Sequence, residues 1–122
     1  MGMDAYLYIA HSKKELESGV LWNGEKLDFE EEDKWKTPRE VWYQRKFVYL
    51  HCYLDYECFH NSYECGDYVK LEKEDIEKMI DFSIHNPNYW DNFKGVEDLC
   101  DILYHWEEIQ SAGLYVYYEC DW

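Results

Sequence analysis

Apolar and polar residues alternate at both ends of the chain, and this pattern predicts β-strands. Residues 3–10, MDAYLYIA, place alternate side chains on opposite sides, as a strand with one buried side does. One side carries Ala5, Leu7 and Ile9, and the other carries Tyr6 and Tyr8. Residues 114–119, LYVYYE, alternate in the same way, and residues 68–71 predict a further short strand. Both ends of the chain are therefore predicted to contribute a strand to a sheet.

A β-hairpin is predicted between Val20 and Phe29. Asn23 and Gly24 stand between two short runs rich in apolar residues, and this dipeptide readily adopts the two positive φ angles of a type I′ turn. The resulting register places Val20, Trp22, Leu27 and Phe29 on one side of the hairpin.

The segment Thr37–Cys58 is predicted to be the central helix of the fold. Its first residues, Thr-Pro-Arg-Glu, match a capping box with proline at the first helical position. Apolar residues then recur at helical spacing, at Tyr43, Phe47, Leu50 and Leu54. Further apolar residues surround this stripe on most of the helix circumference, which indicates a central, buried position.

Two further helices, Glu72–His85 and Val96–Ala112, are predicted because each divides into an apolar and an acidic side. The apolar sides consist of Ile76, Met79, Ile80, Ser83 and Ile84, and of Val96, Leu99, Cys100, Leu103 and Trp106. The polar sides consist of Glu74, Glu77 and Asp81 with Lys78 among them, and of Glu97, Asp98, Asp101, His105 and Glu108. Pro87 and Gly113 are predicted to end the two helices.

This order of elements predicts a single α+β domain over residues 1–122. Its sheet is expected to be small, mixed or antiparallel, and formed by the N-terminal strand, the hairpin and the C-terminal strand. About three helices are expected to pack against it.

The charge of the chain is strongly negative and unevenly distributed. The formal net charge is −15, with 8 basic and 10 acidic residues in 1–50 but 4 basic and 17 acidic residues in 51–122. Nucleic acid and anionic membranes are therefore poor direct partners, whereas a protein with a basic surface is a natural complement. The simpler interpretation is that the charge only keeps an aromatic-rich protein in solution.

Candidate catalytic and metal chemistry is concentrated between His51 and Cys65. His51, Cys52, Cys58, His60 and Cys65 are all residue types that bind zinc, but no C-x-x-C pair occurs among them and a helix would point them in different directions. A Cys58–His60 nucleophile pair is disfavoured because the neighbouring acids Glu57 and Glu64 oppose a thiolate. Phosphate-binding, dinucleotide-binding and hydrolase motifs are also absent from the sequence. We therefore expect a protein that is not an enzyme and that needs no metal or cofactor.

Four stretches together resemble a family of small phage and prophage proteins. They are MGMDAYLY at 1–8, YQRKFVYLHCYL at 43–54, CGDYVKLEKEDIEKMID at 65–81 and YYECDW at 117–122. The family opens with a motif like MGLDMYLY and carries a YWRK-x-N-x-I-H-x-W-F helix, from which this chain departs at Gln44 and Val48. The resemblance implies a phage or mobile-element protein in the cytoplasm of a bacterial host. It implies no activity, but it marks the motif positions Tyr43, Arg45, Lys46 and His51 as structural or partner-contacting.

Charge and resemblance together favour a non-enzymatic protein that binds and inhibits a host protein. Rows of carboxylates on helices have roughly the charge spacing of a nucleic-acid backbone, so the expected target is a basic nucleic-acid-binding surface, such as that of a defence nuclease or a CRISPR effector. An anti-CRISPR or other anti-defence role would follow. The expected contact residues are Glu74, Glu77, Asp81, Tyr89, Trp90, Glu97, Asp98, Asp101 and Glu108.

Two alternatives stay open. The chain could be a small phage enzyme or nucleotide-binding protein with a pocket near Arg45 and His51. It could also be a structural phage module whose acidic residues serve only solubility.

Overall fold

The computed structural model describes residues 4–19, 37–44, 67–85 and 93–121. The elements in these ranges are four strands and four helices. They are β1 (Asp4–Ala10), α1 (Lys13–Glu17), β2 (Arg39–Gln44), β3 (Val69–Leu71), α2 (Lys73–His85), α3 (Phe93–Tyr104), α4 (Trp106–Ser111) and β4 (Tyr115–Asp121). The predicted hairpin at 20–29 lies outside the described residues.

The strands form an antiparallel sheet in the order β2-β1-β4-β3. β1 and β4 occupy the centre and pair along their whole length, from Asp4 opposite Asp121 to Ala10 opposite Tyr115. β1 also pairs with β2, and β4 pairs with β3. The prediction of an α+β fold with a small antiparallel sheet is confirmed, and so are the strands predicted at the two ends of the chain.

The beginning of the predicted central helix is a strand instead. Residues Arg39–Gln44 form β2, and residues 45–58 of the segment lie outside the described residues. The capping-box motif was a false signal, because it describes only local hydrogen bonding. The β-branched and aromatic residues Val41, Trp42 and Tyr43 favour an extended chain, and pairing with β1 supplies backbone hydrogen bonds that a helix would otherwise make.

A β-bulge adapts β2 to the core. Leu7 is opposite Trp42 while Tyr8 is opposite Glu40, so that Val41 is an extra residue in β2. Both Val41 and Trp42 are buried in the same apolar cluster. The bulge thus allows two consecutive residues of one strand to pack on the same side of the sheet.

One face of the sheet and the helices α2–α4 enclose the main core. The strands contribute Ala5, Leu7, Ile9, Val41, Trp42, Leu71, Val116, Tyr118 and Cys120, and the helices and the turn before β4 contribute Ile76, Met79, Leu99, Ile102, Trp106, Ile109 and Leu114. Each fully buried large apolar side chain stabilises the fold by roughly 1.5–3 kcal/mol. The opposite face of the sheet carries a smaller apolar cluster of Tyr8, Ala10, Tyr117 and Leu16, the last of which belongs to α1. α1 therefore packs on the face of the sheet that α2–α4 do not cover.

Two residues predicted to face the core lie at the surface. Ile84 is 60% exposed, because the buried residues Ile76, Met79 and Ser83 define the inner side of α2 and Ile84 lies at its edge. Cys100 is also exposed, and Ile102 is buried in its place. The buried residues Leu99, Ile102, Trp106 and Ile109 follow a helical spacing that includes 102 and excludes 100.

The predicted third helix is divided at His105. α3 ends at Tyr104 and α4 begins at Trp106, but the helical pitch largely continues. The His105 backbone N–H donates to the Asp101 carbonyl (3.1 Å), and the Ile109 N–H donates to the His105 carbonyl (2.9 Å).

Gly113 ends α4, as predicted. The Gly113 N–H donates to the Gln110 carbonyl (2.9 Å) and the Leu114 N–H donates to the Ile109 carbonyl (3.1 Å), which is the Schellman pattern.

We expect Gly113→Ala to lower the free energy of unfolding by about 1–2 kcal/mol, because the φ angle of +77° strains an L-residue. A new Cβ would stay 3.8 Å from the His11 Cδ2 atom, so crowding adds little.

Urea unfolding would measure this change, and Gly113→Asn is the matched control, since asparagine tolerates positive φ better. Equal losses from alanine and asparagine would show that the backbone angle is not the cause.

Candidate protein-binding surfaces

The outer side of α2 carries a row of exposed carboxylates. Glu74, Glu77 and Asp81 are all exposed, and they are separated along the axis by about 4.5 Å and about 6 Å at 1.5 Å per residue. The opposite side of α2 fixes the helix, because Ile76 and Met79 are fully buried. α2 also contains Lys73 and Lys78, but its acidic residues outnumber them. The predicted acidic side of this helix is confirmed.

The acidic residues of α3 and α4 differ in exposure. Glu97 and Glu108 are exposed, whereas Asp98 and Asp101 are half-buried and make other contacts. Glu107 was not among the predicted residues of the acidic side, and it is exposed. We name the exposed carboxylates of the three helices the acidic helical surface. It consists of Glu74, Glu77, Asp81, Glu97, Glu107 and Glu108.

An exposed aromatic side chain, Tyr104, lies within about one helical turn of Glu107 and Glu108 and was not among the predicted contact residues. The Tyr104 side chain is 85% exposed, the highest value among the large hydrophobic side chains of the described residues. Its ring contacts the His105 ring edge-to-face, with centroids 5.0 Å apart and an interplanar angle of 81°. The His105 Nδ1 atom in turn lies 3.0 Å from Glu108 Oε2. The spacing of three residues from Asp101 and of four to Glu108 could have placed Tyr104 on the acidic side.

Tyrosines dominate the face of the sheet that α2–α4 do not cover. The register aligns Tyr6 with Tyr43 and Glu119, and Tyr8 with Glu40 and Tyr117. We name this side of the sheet the tyrosine face. It carries Tyr6, Tyr8, Tyr43, Tyr115 and Tyr117, together with Glu40, Lys70 and Glu119. No single stretch of sequence shows this cluster, because its members come from four strands.

The rings of the tyrosine face contact one another closely. The Tyr6 centroid lies 5.8 Å from that of Tyr8 in a stacked pair and 5.0 Å from that of Tyr43 in a tilted pair. Tyr68 packs against Tyr8 at 5.8 Å in an edge contact. The Lys70 Nζ atom lies 4.1 Å from the centroid of the Tyr115 ring, which is cation–π distance. The Lys70 ammonium group therefore already lies over the Tyr115 ring.

The phenols of this face are held in their neutral form. The Tyr8 hydroxyl donates to Glu119 Oε2 at 2.9 Å, and burial, followed by the Glu119 charge, raises the pKa of Tyr8. Burial, with the Asp4 charge next in importance, raises the pKa of Tyr6 to about 12. Burial also raises the pKa values of Tyr68 and Tyr117. These groups are therefore hydrogen-bond donors near neutral pH and not phenolate nucleophiles.

Several predicted site residues lie outside the described residues. They are Tyr89 and Trp90, the family-motif positions Arg45, Lys46 and His51, and the cysteine and histidine cluster from Cys52 to Cys65. The motif position Tyr43 lies on the tyrosine face and is 39% exposed. Within the four described ranges, no group of three or more metal-binding side chains comes together. The same ranges contain no helix with the length and apolar character that crossing a membrane requires.

Comparisons with known proteins identify no relative of this chain. A scan against protein-family models gave no match, and searches of curated proteins and of solved structures gave no significant similarity. The resemblance to small phage proteins therefore stays a prediction from the four sequence stretches.

Proposed function

We propose that this chain is a non-enzymatic binding protein whose acidic helical surface contacts a basic surface of another protein. The observation that carries the proposal is the row of exposed carboxylates on α2, Glu74, Glu77 and Asp81. Their helix is fixed by buried residues, so that binding would not require the row to be ordered first. A field of this sign attracts basic partners and accelerates their capture.

A protein that normally grips nucleic acid is the proposed class of partner. Such proteins present lysine and arginine to phosphates spaced a few ångströms apart, and the axial spacing on α2 is about 4.5–6 Å. The resemblance to phage proteins directs the search to a host nuclease or a CRISPR effector. Binding there would exclude nucleic acid and would inhibit the host protein.

Charge reversal on α2 tests this proposal. The triple variant Glu74→Lys, Glu77→Lys, Asp81→Lys is expected to weaken binding to a purified host CRISPR effector or nuclease at least about tenfold, since like charges then face the partner. The wild-type complex is expected to weaken steeply as salt is added. Isothermal titration calorimetry at two salt concentrations would measure both effects.

A matched pair of single variants separates the surface from the overall charge. Glu77→Lys and Glu17→Lys change the net charge equally and both replace exposed helical glutamates. Glu17, however, belongs to α1, which packs on the opposite face of the sheet. The proposal requires Glu77→Lys to weaken binding several-fold more than Glu17→Lys. Equal losses would mean that only the net charge matters, and the proposal would then be wrong.

A further inference from the structure

We infer that Tyr104 is the aromatic anchor of the acidic helical surface and that it binds an arginine side chain of the basic partner. This inference rests on the proposed function, and it names arginine as the residue type of the partner that the surface binds. Its starting point is exposure: Tyr104 is 85% exposed, while Ile102 and Trp106, two positions away on either side, are buried. Tyrosine exposed in this way is a frequent anchor of protein interfaces.

The position of the Tyr104 ring is restricted before any partner arrives. Ile102 and Trp106 fix the backbone on both sides in the core. The edge-to-face contact with His105 restricts the ring itself, and His105 is held in turn by its 3.0 Å contact with Glu108 Oε2. A ring that is already ordered loses little conformational entropy on binding.

The surroundings of the ring are acidic. Asp101 precedes Tyr104 by three residues, and Glu107 and Glu108 follow it by three and four, so that all three lie within one helical turn of the ring. The sequence from Gly95 to the last residue, Trp122, contains no lysine or arginine. An exposed aromatic face with carboxylates on both sides is chemically complementary to a cation.

Arginine fits this arrangement better than lysine does. Its planar guanidinium group can stack on the ring and at the same time donate two parallel hydrogen bonds to a neighbouring carboxylate. A lysine ammonium group is compact and more strongly hydrated, and it gains mainly from the charge. Tyr104 should therefore convert a general attraction for cations into a preference for arginine. Tyr115 cannot serve in this way, because the Lys70 ammonium group already lies over its ring.

Two labelled peptides, deca-arginine and deca-lysine, test the inference on the full chain. Fluorescence anisotropy at low salt gives the affinity for each, and the ratio of the two affinities is the readout. The wild-type protein should prefer deca-arginine. Tyr104→Ala should weaken deca-arginine binding about 2- to 5-fold, the range for an exposed cation–π contact. It should weaken deca-lysine binding less, because an ammonium group cannot stack on the ring as a guanidinium group does. Tyr104→Phe should keep the preference, because the ring face is retained.

Two control variants keep the outcomes separate. Tyr115→Ala should leave the ratio unchanged. Glu77→Lys should weaken the binding of both peptides equally. If it weakened the binding of neither, the result would count against the acidic helical surface and not against Tyr104. A Tyr104→Ala protein with the wild-type melting temperature and an unchanged ratio of affinities would overturn the arginine inference alone.

Discussion

The free energy of unfolding is expected to fall steeply between about pH 10 and about pH 12, because the tyrosine face must stay protonated to fold. Tyr6 has a pKa of about 12 in the folded protein, and burial raises the pKa values of Tyr8, Tyr68 and Tyr117. The same phenols ionise near pH 10 in the unfolded chain. The unfolded state therefore releases protons that the folded state retains, and alkali favours unfolding.

The sign and size of this effect follow from linkage. A group with a raised folded pKa contributes its full stabilisation below the unfolded pKa, and loses it as the pH rises through the folded pKa. Each retained proton lowers the free energy of unfolding by about 1.4 kcal/mol per pH unit above pH 10. The raised pKa values of Tyr8, Tyr68 and Tyr117 act in the same direction as that of Tyr6, and screening by solvent reduces the contribution of the less buried rings.

Urea unfolding at about pH 8 and about pH 11 would measure the loss, and tyrosinate absorbance would show that the folded protein ionises later than the unfolded one. Tyr8→Phe is the matched variant, since it keeps the ring but removes one ionisable group and its hydrogen bond to Glu119. It should be less stable than wild type by about 1 kcal/mol near pH 8. Above about pH 10, its free energy of unfolding should decrease less steeply with pH than that of wild type, by the contribution of about one proton. The same pH slope for both proteins would contradict the role assigned to Tyr8.

The strands at the two ends could be predicted because buried and exposed side chains alternate within the sequence of each strand itself. Ala5, Leu7 and Ile9 face the main core and Tyr6 and Tyr8 the other side, as the pattern indicated. The acidic side of α2 was predictable for a similar reason, because helical spacing alone separates Glu74, Glu77 and Asp81 from the buried residues.

The start of β2 could not be assigned from local pattern. Thr37 and Pro38 imitate a helix start, and Tyr43 lies on a stripe of helical spacing. What decides the structure is pairing with β1, whose paired residues lie 30 to 39 positions earlier in the chain, from Ile9 with Arg39 to Ala5 with Gln44. The β-bulge that buries both Val41 and Trp42 also breaks the alternation by which a strand is recognised. Tertiary contact therefore overrode a plausible local signal.

The candidate surfaces were predicted in part. Carboxylate rows appear in the sequence of a single helix, but the half-burial of Asp98 and Asp101 depends on contacts that the sequence does not display. The tyrosine face needs the strand order and the register, which bring Tyr6, Tyr43 and Glu119 side by side. Tyr104 was not among the predicted contact residues, although its spacing from Asp101 and Glu108 places it on the acidic side of the helix.

Leu7→Ala is expected to lower the free energy of unfolding by about 2–5 kcal/mol, because it leaves a cavity at the centre of the main core. Leu7 is fully buried on β1, between Trp42 of β2 and Tyr118 of β4. These neighbours belong to paired strands, so the sheet can collapse only partly around the missing atoms.

The exposed residue Ile84 provides the control for this prediction. Ile84→Ala removes a similar amount of apolar side chain at a position that is 60% exposed, and alanine has the higher helix propensity. Its effect should therefore stay within about 0.5 kcal/mol of wild type. Urea unfolding of the two variants at neutral pH would give both values. Similar losses from Leu7→Ala and Ile84→Ala would contradict a core centred on β1, whereas a large difference would locate the stability of the domain on the side of the sheet that supports the acidic helical surface.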